Sequence, residues 1–219
     1  MIRNFVATTA ATLLLLALTL TAAPAASAGM PALSGGMRIT NADGSGCSIA
    51  FADPLDPWLI YTAAHCFDPG KSRVVSTGHY LVGKYRPDLV YDTKLDVVAI
   101  QLFAGVKSEY EQCDGAYCHP IGVPRTAQVG DYVCKYGSIS LQTCGPVTGV
   151  YDNLFAMDLP AVPGDSGGPI YQIDADGTAH LVGVMKAIGR ADPGTAYGTK
   201  ITRIADLLKR TWGPNWRMA

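Results

Sequence analysis

The 219-residue sequence predicts an all-β protein closed by a C-terminal α-helix, and three observations carry that expectation. Apolar, β-branched and aromatic residues gather in short runs, without long 3.6-residue periods. These runs are punctuated by 24 glycines and 14 prolines, the residues that turns select. Only residues 204–210 space their apolar positions as an amphipathic helix, and Gly213-Pro214 stops it. A hydrophobic content of 48% is enough to bury a real core, as one large β domain or two small lobes.

Along the chain, residues 1–28 read as a cleaved signal peptide. Arg3 supplies the positive charge, residues 13–20 the short apolar core, and Ala26-Ser27-Ala28 a small-residue cleavage site. The alternative, a membrane anchor, asks for a longer apolar run, and no other stretch has the length to span a bilayer. Residues 29–219 then form the folded domain. Residues 47–52 and 58–62, separated by an Asp53-Pro54 turn, read as a hairpin leading to His65. Val74-Val75, Tyr80-Leu81-Val82, Leu89-Val90-Tyr91 and residues 97–103 are further strands, with Asp96 at the mouth of the last. Residues 110–125 hold a small cysteine loop that links two halves. Beyond it, residues 132–135, 144–151, 154–159, 170–173 and 180–185 repeat the texture, and residues 174–177 make a hairpin turn.

The organising stretch is Pro163-Gly164-Asp165-Ser166-Gly167-Gly168-Pro169. A serine among glycines suits a nucleophile whose neighbouring amides, those of Gly164 and Ser166, hold the oxygen of an attacked carbonyl. By itself the motif also fits a glycine-rich turn. Two other stretches supply what a serine hydroxyl needs to become a nucleophile. Thr62-Ala63-Ala64-His65-Cys66 offers a base, since imidazole titrates near neutrality. Leu95-Asp96-Val97-Val98 offers a carboxylate to orient that base, with Asp92 as its rival. His79, His119 and His180 lack such a context and read as surface or loop residues.

These three stretches, in the order His65, Asp96, Ser166, resemble the trypsin/chymotrypsin superfamily of serine proteases. Leu33-Ser34-Gly35-Gly36 is similar to the opening of mature streptogrisin-type bacterial members. The resemblance implies two six-stranded antiparallel β-barrels, at roughly residues 33–115 and 120–219, with the active site between them. It implies disulfides Cys47–Cys66 and Cys134–Cys144, which leaves Cys113–Cys118; the six cysteines alone allow 15 pairings. It makes Asp165 a buried carboxylate that shapes the oxyanion loop. It places Pro160 at the base of the substrate pocket, where trypsin carries an aspartate, so cleavage after Lys or Arg is not expected. Lys186 and Ile188 fall in the substrate-binding strand where relatives carry serine and glycine. Lys186 either favours an acidic substrate side chain or points outward.

The implied function is a secreted serine endopeptidase working through an acyl-enzyme. Its rivals are a binding protein on a protease scaffold and an esterase using the same residues. A formal net charge of −1 with no basic patch points away from nucleic acid, and nothing beyond the leader suggests a membrane. No CxxC pair or His pair suggests zinc. No cofactor and no metal are expected, and a monomer acting on protein or peptide substrates is.

Overall fold

In the computed structural model the described residues are 32–110, 112–114, 117–189 and 194–218, with the side chains of 112–114, 117 and 118 not described. The signal-peptide expectation for residues 1–28 therefore lies outside the described residues. Among these, no helix is long and apolar enough to cross a membrane.

Among the described residues seventeen strands run in chain order. The first half holds Arg38–Asn41 (β1), Gly46–Ser48 (β2), Phe51–Ala52 (β3), Leu59–Thr62 (β4), Val74–Thr77 (β5), Tyr80–Tyr85 (β6), Tyr91–Asp92 (β7) and Val97–Leu102 (β8). Gln112–Asp114 (β9), Tyr117–His119 (β10) and Ile121–Gly122 (β11) form the connection. Tyr132–Gly137 (β12), Leu141–Val150 (β13), Leu154–Asp158 (β14), Pro169–Ile173 (β15), Ala179–Ile188 (β16) and Thr195–Lys200 (β17) complete the second half. The chain then enters Ile201–Trp212 (α1).

The second sheet closes on itself, in the order β16-β15-β12-β13-β14-β17 and back to β16. The first follows β2-β1-β5-β6-β8-β4-β3. Its two ends are parts of one stretch, residues 46–52, whose first half pairs with β1 and second half with β4. That sheet thus curls through six strands, and β7 pairs with β8 off the path. This is the chymotrypsin-like architecture, a barrel and a curled half-barrel with one C-terminal helix.

Strand periodicity explains why β4 and β8 read as continuous apolar runs instead of alternating ones. Side chains alternate faces along a strand. Ile60, Val98 and Ile100 fill the interior of the first sheet with Ile39, Val75 and Val82. Their neighbours Tyr61, Val97 and Ala99 face outward and join Tyr136, Tyr171 and Val184 of the second sheet, and Ile201, Ile204 and Leu208 of α1. Both faces are buried because the lobes pack against each other. The second interior is built on Val133, Phe155, Met157, Ile170 and Val182.

The helix is longer than its sequence suggested, beginning at Ile201. Ile201 belongs to the same apolar stripe as Ile204 and Leu208, but no capping side chain marks the start, since Lys200 makes no side-chain cap. Its C-terminal end is at Gly213, whose φ of 102° a side chain rarely tolerates.

Candidate active site

Strand β2 anchors two of the three stretches singled out in the sequence. Cys47 is disulfide-bonded to Cys66, with Cα atoms 6.3 Å apart, and Cys66 ends the 3-10 turn Ala64–Cys66 that carries His65. The next residue of β2, Ser48, donates its N–H to the Ser166 carbonyl at 2.8 Å. The histidine turn and the serine loop are therefore tied to adjacent residues of β2, Cys47 and Ser48 respectively.

Asp96 reaches His65 from the turn between β7 and β8. Asp92 caps that turn, its Oδ1 accepting the N–H groups of Lys94 and Leu95 at 2.9 and 2.8 Å. Asp92, the rival acid, is thus occupied with backbone. Asp96 adopts a φ of 58°, a left-handed conformation uncommon for a residue with a side chain. Its carboxylate, 6% exposed, accepts the His65 backbone N–H at 2.9 Å and lies 2.8 Å from His65 Nδ1. A carboxylate in that position accepts a hydrogen bond from Nδ1–H, which keeps the proton on Nδ1 and leaves Nε2 as the basic nitrogen. The His65 ring is 47% exposed and, with Asp96 and Ser166, lines one cleft of about 610 Å³. Ser166 Oγ has no hydrogen-bond partner among the described residues, His65 Nε2 included. In unliganded sites such bonds are often long and tighten when substrate binds.

The loop around Ser166 is held from behind. Gly164 and Gly167 have φ of 103° and 84°. Neither the Gly164 nor the Ser166 N–H bonds to another group among the described residues. The Gly164 carbonyl, by contrast, accepts two hydroxyls, Ser48 Oγ at 2.8 Å and Ser138 Oγ at 3.0 Å. Asp165, fully buried, accepts the N–H groups of Ile139, Ser140 and Val162, the Ser140 hydroxyl, and at 3.0 Å the ammonium of Lys135, itself fully buried. Burial alone would raise the Asp165 carboxyl, but the hydrogen bonds from Ser140, Val162 and Lys135 together hold it below the usual carboxylate range. Burial pulls the Lys135 ammonium down despite Asp165 beside it. Lys135, Ser48, Ser138 and Ser140 were not singled out in the sequence. The one available signal was a lysine inside the apolar run 132–136.

The cleft is also lined by Val162 and Pro163, and by Met185, Lys186, Ala187 and Ile188 of β16. Pro160, expected at the pocket base, is not among the lining residues; it is exposed and its carbonyl accepts Thr143 Oγ1 at 2.7 Å. Lys186 does not point away from the cleft: Nζ crosses it to donate to the Lys94 carbonyl at 2.9 Å. Ile188 is exposed at the rim.

The Cys134–Cys144 bridge joins directly paired residues of β12 and β13. Cys113 and Cys118 face each other in the β9–β10 register, but the side chains of this expected pair lie outside the described residues. Cys47, His65 and Cys66 place their ligand atoms within 4.8 Å, yet both sulfurs are consumed by the disulfide, so this is not a metal site. His79 is exposed, as expected. His119 joins Gly177 O at 2.8 Å. His180, read as a surface or loop residue, is instead buried in β16. Its Nδ1 donates to Val123 O at 2.8 Å and its Nε2 lies 3.2 Å from Asp174.

The fold is the chymotrypsin-like one, and the solved structures that match it include serine proteases. Cellulomonas bogoriensis chymotrypsin matches with a TM-score of 0.64 at 23% identity, over 81% of this chain and 96% of that one. Nocardiopsis protease matches with a TM-score of 0.64 at 21% identity, covering 81% and 96%. A protease described as glutamic acid specific, using a histidine triad in substrate binding, matches with a TM-score of 0.67 at 21% identity, covering 80% and 97%. In sequence, an uncharacterized protein of Mycobacterium tuberculosis is 28% identical over 174 residues, 70% of this chain and 72% of that protein. No family model matches the chain.

Proposed function

We propose that the protein is an exported serine endopeptidase in which Ser166 is the nucleophile, His65 the general base and Asp96 its orienting carboxylate. The observation that carries this reading is the Asp96 carboxylate holding both the amide and the ring of His65, in the cleft that Ser166 lines. Ser166 Oγ attacks the scissile carbonyl carbon as His65 Nε2 takes its proton. The developing oxyanion is received by the N–H groups of Gly164 and Ser166. His65 returns the proton to the leaving amine, and water repeats the sequence on the acyl-enzyme. Export is supported by the leader-like sequence of residues 1–28 and by disulfides, which persist in oxidising compartments.

A fluorophosphonate probe tests the assignment. Labelling of the wild type that Ser166→Ala and His65→Ala abolish is expected, together with cleavage of a peptide library. Absence of labelling favours the second reading, a binding protein on this scaffold, for which the unbonded Ser166 hydroxyl speaks. Cleavage of esters alone would make the protein an esterase. Acid selectivity of the kind named for the glutamate-specific neighbour cannot rest here on three cleft histidines, because His65 is the one histidine lining this cleft among the described residues.

A further inference from the structure

Strand β16 presents one bare edge to the cleft. Its pairing with β15 ends at Val184, while on the other side Ala187 and Ile188 pair with Tyr197 and Ala196 of β17. From Lys186 to Ile188 the cleft-facing edge has no partner strand among the described residues. A bare edge of this kind accepts an extended peptide as an added strand. The register between β16 and β17 shifts between Met185 and Ala187, so Lys186 is the bulged residue. A bulge re-aims its side chain. Here Nζ is carried across to Lys94 O, beside Thr93 and on the Asp96 side of the cleft.

That ammonium is the feature the peptidase chemistry leaves unused. Asp96 is engaged by His65, and the other lining residues are apolar or neutral. No ion pair neutralises Lys186 among the described residues, and a single carbonyl takes one of its three donors.

We propose that Lys186 selects substrates carrying Asp or Glu at the second residue before the scissile bond. The inference rests on the peptidase reading above. Successive side chains of an extended peptide point to opposite sides. The residue whose carbonyl lies at Ser166 turns toward Val162 and Pro163, which lead into the oxyanion amide of Gly164. The residue before it turns the other way, toward His65, Thr93 and the Lys186 ammonium. A carboxylate there completes the donors of Lys186 in a part of the cleft that the bound peptide shields from water.

Peptides identical except for Glu, Gln or Lys at the second position before the cut, and separately at the first, test this, with cut sites read by mass spectrometry. The expected kcat/KM for Glu exceeds that for Gln about fivefold at the second position, the upper end for a partly exposed ion pair. No such preference is expected at the first position, and added salt should shrink the effect. The Glu/Gln ratio should fall to one in Lys186→Met, persist in Lys186→Arg, and give way to a preference for Lys in Lys186→Glu. Equal rates for Glu and Gln in the wild type, a preference that survives Lys186→Met, or one confined to the first position overturns the proposal. Fluorophosphonate labelling of every variant separates the two failures. A labelled enzyme indifferent to charge loses only the selectivity, whereas an unlabelled wild type removes the peptidase reading and this proposal together.

Discussion

At Asp165 and Lys135, opposite charges are buried side by side without solvent. Each would be costly alone, because a buried charge without a partner loses its hydration with nothing in return. Asp165 gathers three backbone N–H groups, a hydroxyl and the ammonium, and its carboxyl is held below its usual range. A carboxyl with a depressed folded pKa contributes stability that is full above the ordinary carboxylate pKa and is lost as pH falls through the lower folded value. Lys135→Met strands the carboxylate and should cost about 3–5 kcal/mol at pH 7, measured by urea unfolding. The gap to the wild type should narrow as pH drops through the carboxylate range, because a protonated Asp165 no longer needs the cation. An unchanged gap from pH 7 to 3 would mean that the destabilisation comes from lost packing. This pair also marks where legibility ended. His65 and Ser166 stood out because a disulfide cysteine and glycines sit next to them in sequence, and Asp96 because an aspartate opens an aliphatic run. Lys135 announced only that it would need a partner, and the partner lies 30 residues on, at a distance only the barrel closes.

The serine loop is an element whose position depends on close backbone approach. Gly167 has a φ of 84°, and a Cβ there would stand 2.5 Å from Ser48 O and nearer still to Thr62 Oγ1. The loop therefore lies directly against β2 and β4, and the Ser48 N–H to Ser166 O bond depends on that contact. Gly167→Ala would push the loop away from the strand that also anchors His65. A displacement of this size should lower kcat about 100-fold while KM changes less. Gly78→Ala is the matched control: its φ of 54° is also left-handed, but nothing lies within 4 Å of the added Cβ. It should cost only about 1–2 kcal/mol of stability and leave kcat alone. Equal loss in both variants would assign the effect to backbone strain. At this scale local periodicity announced the strands and turns, while their closure was legible only through the resemblance, since periodicity carries no information on which edge meets which. Nor did it locate the start of α1, which lacks a capping side chain.

Across the whole molecule, the cleft exists because two sheets are held at a fixed separation, and the C-terminal segment is one of the ties. Asp53, buried between β3 and β4 of the first sheet, uses Oδ1 for the N–H groups of Leu55 and Asp56. Its Oδ2 accepts Tyr61 OH at 2.6 Å and Trp216 Nε1 at 2.9 Å. Tyr61 OH in turn accepts Trp212 Nε1 at 3.1 Å. Burial, with the charge of Asp53 beside it, pushes the Tyr61 phenol up, so it stays a donor at any physiological pH. Two tryptophans at the far end of the chain thus fasten α1, which packs on the second sheet, to the back of the first. Trp216→Phe keeps most of the packing and removes one N–H, so about 1 kcal/mol is expected. Trp216→Ala also empties a fully buried site, for about 3–5 kcal/mol. In a chain of this length that lowers Tm by about 6–20 °C. Asp53→Ala leaves three N–H groups and a phenol without their acceptor and should exceed the Trp216→Phe loss several-fold. Calorimetry orders the three variants. If Asp53→Ala proved as mild as Trp216→Phe, the lobes would be held by apolar contact alone, and the polar tie would be incidental to the geometry of the cleft.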